Sequence, residues 1–223
     1  MTARTGFLAA AALLTAINLA GIWLPGWTYL PLNLAAILTL LLIARLSGTT
    51  DTALGLHRDR LHRGLMVGTL SALVIGTVIG VAALLPSTRG FFEDSRATGI
   101  GVAGLLYQVM LRIPIGTALF EEVAFRGVLL GLGRRAWTPA TGTGLSALLF
   151  GLWHIAPALT LTGTNATASG ISTAGIVGFA VISTTAAGLG FTWLRDKAGS
   201  LAAPILLHAT VNAFAFTLAW ALF

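Results

Sequence analysis

The stretch Leu119-Phe120-Glu121-Glu122-Val123-Ala124-Phe125-Arg126-Gly127 constrains this chain more than any other. It sets two adjacent carboxylates and a guanidinium inside an apolar run from about residue 100 to 132. An ionised side chain at the centre of a bilayer costs at least ~2.5–3.5 kcal/mol even on lenient insertion scales. Three such groups within six residues therefore need partners inside the protein. Glu122 and Arg126 stand four apart, on one face of a helix, and can neutralise each other. Glu121 points about 100° away and lacks that partner. It is the candidate for chemistry.

The rest of the chain supplies the setting. It is 56% hydrophobic and 9% charged, with a mean hydropathy of +0.90, whereas soluble domains carry roughly 25% charged residues. These values predict an all-α fold, a polytopic transmembrane helical bundle of seven or eight membrane helices, in a single membrane-embedded domain over residues 1–223. The net charge of +6 comes from basic residues placed singly in short loops, so nucleic acid is not an expected partner. The lipid bilayer is. There is no cysteine, which excludes disulfides, thiol catalysis and thiolate metal sites.

Apolar runs cover about 6–24, 32–46, 64–85, 100–132, 142–159, 171–194 and 201–222. The first is long for a signal peptide and is followed by further spans, so a retained helix is expected. Residues 1–63 then hold two helices and a cytoplasmic loop, in which His57 and His62 read as solvated. The 100–132 run exceeds the ~20 residues that one crossing needs. Pro114 predicts a break or kink near Ile113, between a short packed helix and the helix bearing Glu121.

With seven crossings, one side collects Arg4, Arg45, Arg58, Arg60, Arg63, Arg134, Arg135, Arg195 and Lys197, and the other only Arg89 and Arg96. This bias predicts a multi-pass protein of the cell membrane, its N-terminus cytoplasmic and its C-terminus on the opposite side. Asn165-Ala166-Thr167 matches a glycosylation acceptor, a pattern short enough to arise by chance. Gly64/Gly68, Gly76/Gly80 and Gly127/Gly131 have the spacing that lets membrane helices approach closely, a packing signal. No inverted repeat suggests a transporter.

Two more spans carry polar groups. Phe150 and His154 are four apart on one face, as are His208 and Asn212. Each histidine taken alone reads as a buried, hydrogen-bonded packing residue. Depth brings them together: Glu121, His154 and His208 fall roughly 20, 18 and 12 Å from the cytoplasmic ends of their spans. Glutamate, two histidines, an asparagine and a supporting arginine in a dry bundle are the parts of a hydrolase. A carboxylate in low dielectric suits a general base, and imidazole or amide groups can donate to an oxyanion. Such chemistry needs the four side chains to face one water-accessible cavity.

Glu-Glu-x-x-x-Arg at Glu121, Glu122 and Arg126, Phe-x-x-x-His ending at His154, and His-x-x-x-Asn at His208 and Asn212 resemble the CPBP family. These are the CAAX-protease and bacteriocin-processing intramembrane endopeptidases, also called Abi or Rce1-like proteins. The resemblance spans about residues 100–215. It implies that Glu121 and His154 activate water, that His208 and Asn212 stabilise the tetrahedral intermediate, and that Glu122, Arg126 and Phe150 support them. Its implied partner is a peptide or protein substrate, membrane-associated or CAAX-like, lipidated or not, cut near the cytoplasmic interface. The family is termed metalloprotease. Glu121, His154 and His208 are the candidate ligands for one divalent ion such as zinc, although the His-Glu-x-x-His pattern of zinc proteases is absent. Both the metal-free and the metal-bound mechanisms stay open. The alternative functions are a non-catalytic folding, sorting or bacteriocin-immunity factor that keeps the polar cluster for binding, and a transporter using Glu121 as a proton relay.

Overall fold

The computed structural model describes residues 1–161 and 172–223, and among these all regular structure is helical. Among the described residues seven helices are long and apolar enough to cross a membrane. They are α1 (Ala3–Ala20), α2 (Tyr29–Leu46), α3 (Leu61–Leu84), α4 (Val102–Ala136), α5 (Pro139–Trp153), α6 (Thr173–Ala198) and α7 (Ala202–Leu222). A short helix, Ile155–Leu161, continues α5. Asn165-Ala166-Thr167 lies outside the described residues.

Local sequence explains several ends. The Thr138 hydroxyl accepts the Thr141 N–H and Pro139 follows at the first helical position, which starts α5 tightly after α4. Gly199, at φ +68°, closes α6 in the left-handed conformation that glycine adopts without strain.

The helix of the two glutamates is the centre of the bundle. α4 packs against α1, α2, α5, α6 and α7, and every residue from Phe120 to Gly133 is buried. The outer helices reverse the pattern of a soluble protein. Leu38, Leu42, Leu70, Leu73, Val74, Phe179 and Ile182 are exposed and form the lipid-facing surface. Apolar faces of that kind supply no drive for helix association in lipid, so close packing and internal polar contacts must do so.

The break expected near Pro114 does not occur. α4 is helical throughout, and its backbone runs in wide π-type turns over Gln108–Leu119 and Glu122–Leu129. Proline disrupts an α-helix by removing the bond to residue i−4 and clashing with that carbonyl. A wider turn bonds to i−5 instead, and the ring is accommodated. Neighbouring side chains also brace the segment. Asn33 Nδ2 donates to the Gly116 carbonyl at 2.8 Å, the Tyr29 and Thr117 hydroxyls are 2.9 Å apart, and the Arg112 guanidinium lies 4.3 Å from the centre of the Tyr29 ring.

Of the glycine pairs, Gly64/Gly68 brings α3 onto α7. A Cβ on Gly68 would stand 2.9 Å from the Ala203 backbone. Gly76 faces open space and Gly80 makes only ordinary contact with Phe214, so that pair does not mark a close approach. Its spacing is a helix-face coincidence.

The chain ends lie at opposite ends of the bundle. The Met1 amine donates to the Leu46 carbonyl at 3.1 Å, beside the loop that leads into α3. Arg89, just beyond the other end of α3, donates to the Leu222 carbonyl at 3.1 Å and covers the Phe223 ring.

Candidate active site

The first turn after Glu121 forms the anticipated ion pair. Arg126 Nη1 donates to Glu122 Oε1 at 3.1 Å, with the two side chains 1% and 0% exposed. Two ring faces cover the guanidinium, Phe150 at 3.8 Å and Phe191 at 5.0 Å from Cζ to the ring centre. A buried arginine needs such contacts in place of hydration.

Glu121 is also partnered, contrary to its reading from helical spacing. Trp153 Nε1 donates to its Oε1 at 3.1 Å. The partner comes from α5, which helical spacing within α4 cannot reveal. Glu121 Oε2 is buried and has no hydrogen-bond partner among the described residues. It faces His208 Nε2 at 3.8 Å.

His208 on α7 is the residue that ties the two carboxylates together. Its Nδ1–H donates to Glu122 Oε1 at 2.8 Å. The ring stacks on Phe191, centres 5.1 Å apart and planes 16° apart, and meets the edge of Phe150 at 6.2 Å. Two contacts thus fix the plane of the imidazole and the face it turns to Glu121.

His154 sits where α5 ends. The His154 N–H turns to the carbonyls of Gly151 and Leu152, and the His154 Nδ1 instead serves the Phe150 carbonyl at 2.8 Å. A carbonyl only accepts, so Nδ1 carries the proton and Nε2 of the neutral ring keeps its lone pair. The ring also packs on the edge of Phe150 at 4.6 Å. Phe150 is thus shared by Arg126, His154 and His208. Asn212, one turn beyond His208 on α7, is half-buried. It forms no hydrogen bond to Glu121, His154 or His208 among the described residues.

The structure therefore gathers Glu121, Glu122, Arg126, Phe150 and His208 into one constellation, with His154 at its edge. Trp153 and Phe191 belong to it as well. Trp153 could have been suspected from its place between Phe150 and His154. Phe191 carries no sequence signal beyond being an aromatic on a membrane span. A cavity of about 340 Å³ lies between α1 and α5, lined by Asn18, Phe125, Leu149 and Trp153 among others. Glu121, His154, His208 and Asn212 do not line it.

The proposed metal ligands are not arranged as a set. Among the described residues no three His, Asp or Glu side chains are placed to hold one ion.

Residues 103–214 match the family model described as type II CAAX prenyl endopeptidase Rce1-like. The chain belongs to the Rce1-like family. No curated protein and no solved structure matches it. Membership identifies the chain, in general terms, as an intramembrane protease of the CAAX type. The Rce1-like match takes in α4, α5, α6 and most of α7, hence every residue of the constellation. It leaves out α1 to α3.

Proposed function

We propose that the chain hydrolyses a peptide bond of a membrane-associated, CAAX-type substrate, with Glu121 as general base. The observation that carries this reading is the state of the Glu121 carboxylate. One oxygen is held by the Trp153 indole, and the other is buried, unpartnered and turned to the His208 ring. Oε2 is the atom that takes a proton from water. The resulting hydroxide adds to the scissile carbonyl, and protonated Glu121 then passes that proton to the leaving amine, so the two fragments are a carboxylic acid and an amine.

Glu122 acts on His208 as a carboxylate acts on the histidine of a triad, holding Nδ1–H and so fixing the orientation in which Nε2 can carry a proton. From that position Nε2–H stabilises the oxyanion, with the Asn212 amide joining once substrate is bound. His154, its Nδ1 held by the Phe150 carbonyl, presents Nε2 as the second acceptor for the attacking water. Arg126 holds Glu122 in place. Cleavage lies towards the arginine-rich end of the bundle, which the charge bias assigns to the cytoplasm of a cell-membrane protein.

The test is turnover of a prenylated, internally quenched CAAX-type peptide by the purified protein. Glu121→Gln should abolish cleavage while leaving the melting temperature close to that of the parent chain. Turnover at the parental rate in that variant would remove Glu121 from the role of base.

A further inference from the structure

α1 lies outside the stretch that matches the family, yet it reaches the proposed base through two hydrogen bonds. The path starts at Pro157. In a continuous helix the Trp153 carbonyl would accept the N–H four residues on, and proline at 157 has none. The Asn18 side chain, from α1, fills that place: its Nδ2 donates to the Trp153 carbonyl at 2.9 Å. The same tryptophan turns its indole inward. The ring packs on Phe120 at 5.6 Å and on Phe125 at 5.9 Å, and Nε1–H reaches Glu121 Oε1 at 3.1 Å. The end of α5 is thus pinned from one side by α1, and from there one oxygen of Glu121 is pinned in turn.

We infer that Asn18 and Trp153 are positioning residues for Glu121. The indole N–H restrains Oε1. Oε2 is left as the only oxygen free to take a proton, on the side of His208. Asn18 sets the height and rotation of the helix end that carries both Trp153 and His154. This inference rests on Glu121 being the base, and the experiment separates the two claims.

Steady-state kinetics with the prenylated peptide give the first readout. Trp153→Phe keeps an aromatic ring against Phe120 and Phe125 and deletes the donor. A hydrogen bond to a charged group is lost, so kcat should fall roughly ten- to hundred-fold. KM should stay within about twofold, because the lost bond acts on the base and not on the bound peptide. Asn18→Leu should lower kcat in the same direction by less. A parental kcat in Trp153→Phe, with Glu121→Gln inactive, would overturn the positioning role and leave the base intact. An active Glu121→Gln would overturn the base instead.

A second readout needs no substrate. In the full-length protein with its other tryptophans changed to phenylalanine and 15N-labelled, the single indole N–H resonance should lie downfield, as expected for donation to a carboxylate. It should shift upfield in Glu121→Ala and move measurably in Asn18→Leu. An indole resonance indifferent to Glu121→Ala would overturn the inference even if the chosen peptide were not cleaved.

Discussion

His208 Nδ1 lies 2.8 Å from Glu122 Oε1, and Nε2 of the same ring lies 3.8 Å from Glu121 Oε2. One imidazole on α7 thus spans two neighbouring carboxylates on α4 and gives them unequal surroundings. Glu122 is tied to Arg126 and to His208, a structural anchor. Glu121 keeps one oxygen unbound, a reactive group.

Removing the charge of Glu122 should accordingly damage the fold. Glu122→Gln leaves Arg126 buried without its counter-ion and weakens the hold on His208. Breaking a buried pair by removing one partner typically costs ~3–5 kcal/mol. Thermal melts in detergent should show Glu122→Gln well below both the parent chain and Glu121→Gln. Equal melting temperatures for the two glutamine variants would contradict the division of labour.

The stacking partner of His208 should matter for rate more than for stability. Phe191→Leu retains apolar volume but removes the face on which the imidazole lies. Aromatic pairs contribute about 0.5–1.5 kcal/mol beyond their burial, so the melt should shift little. Turnover should fall clearly with KM nearly unchanged, because the ring can rotate away from Glu121. Unaltered kcat would show that Glu122 alone orients His208.

Metal removal should leave the rate unchanged. Among the described residues Glu121, His154 and His208 are not gathered as a three-ligand set. Prolonged dialysis against a chelator, followed by assay with and without added zinc, decides the matter. Activity that disappears on dialysis and returns with zinc would require a rearranged site.

Much of this arrangement is legible from residue spacing, because membrane helices leave few alternatives. The spans follow from apolar runs, and the Glu122–Arg126 pair follows from an interval of four that survives even in the wide turns of α4. What spacing cannot carry is the rotation of one helix against another. Glu121 looks unpartnered along α4 and is met by Trp153 from α5. Phe191 stacks on His208 only because α6 and α7 present those faces to each other. Pro114 predicts a break in an ordinary helix, and the π-type turns remove the clash on which that expectation depends. Gly76 and Gly80 share the spacing of Gly64 and Gly68, yet only the latter pair lies in close contact with Ser200 and Ala203 at the start of α7.

That last contrast gives a direct packing test. Gly68→Ala would drive a methyl against the Ala203 backbone at 2.9 Å, and overpacking of this kind typically costs about 1–3 kcal/mol. Gly76→Ala meets nothing within 4 Å, and alanine is the better helix former by about 0.8–1.0 kcal/mol. Melting should therefore fall for the first variant and hold or rise for the second. The reverse order would mean that α3 meets α7 on a different face.

The two chain termini should be accessible from opposite sides of the membrane. Met1 is bonded to Leu46, at the end of the bundle that carries Arg45, Arg134, Arg135, Arg195 and Lys197, while Leu222 is held by Arg89 at the other end. Seven membrane-length helices lie between them among the described residues, and an odd number of crossings places the ends on opposite sides. The basic residues favour the cytoplasm for the Met1 end, since their translocation is disfavoured. The chain contains no cysteine, so a single cysteine introduced at Thr2 or at Phe223 reports on its own location. With intact cells and an impermeant maleimide, Phe223→Cys should label and Thr2→Cys should label only after lysis. Labelling of both from outside would mean that one helix does not cross. Labelling of Thr2→Cys alone would invert the bundle, and the proposed cleavage would then occur on the outer side.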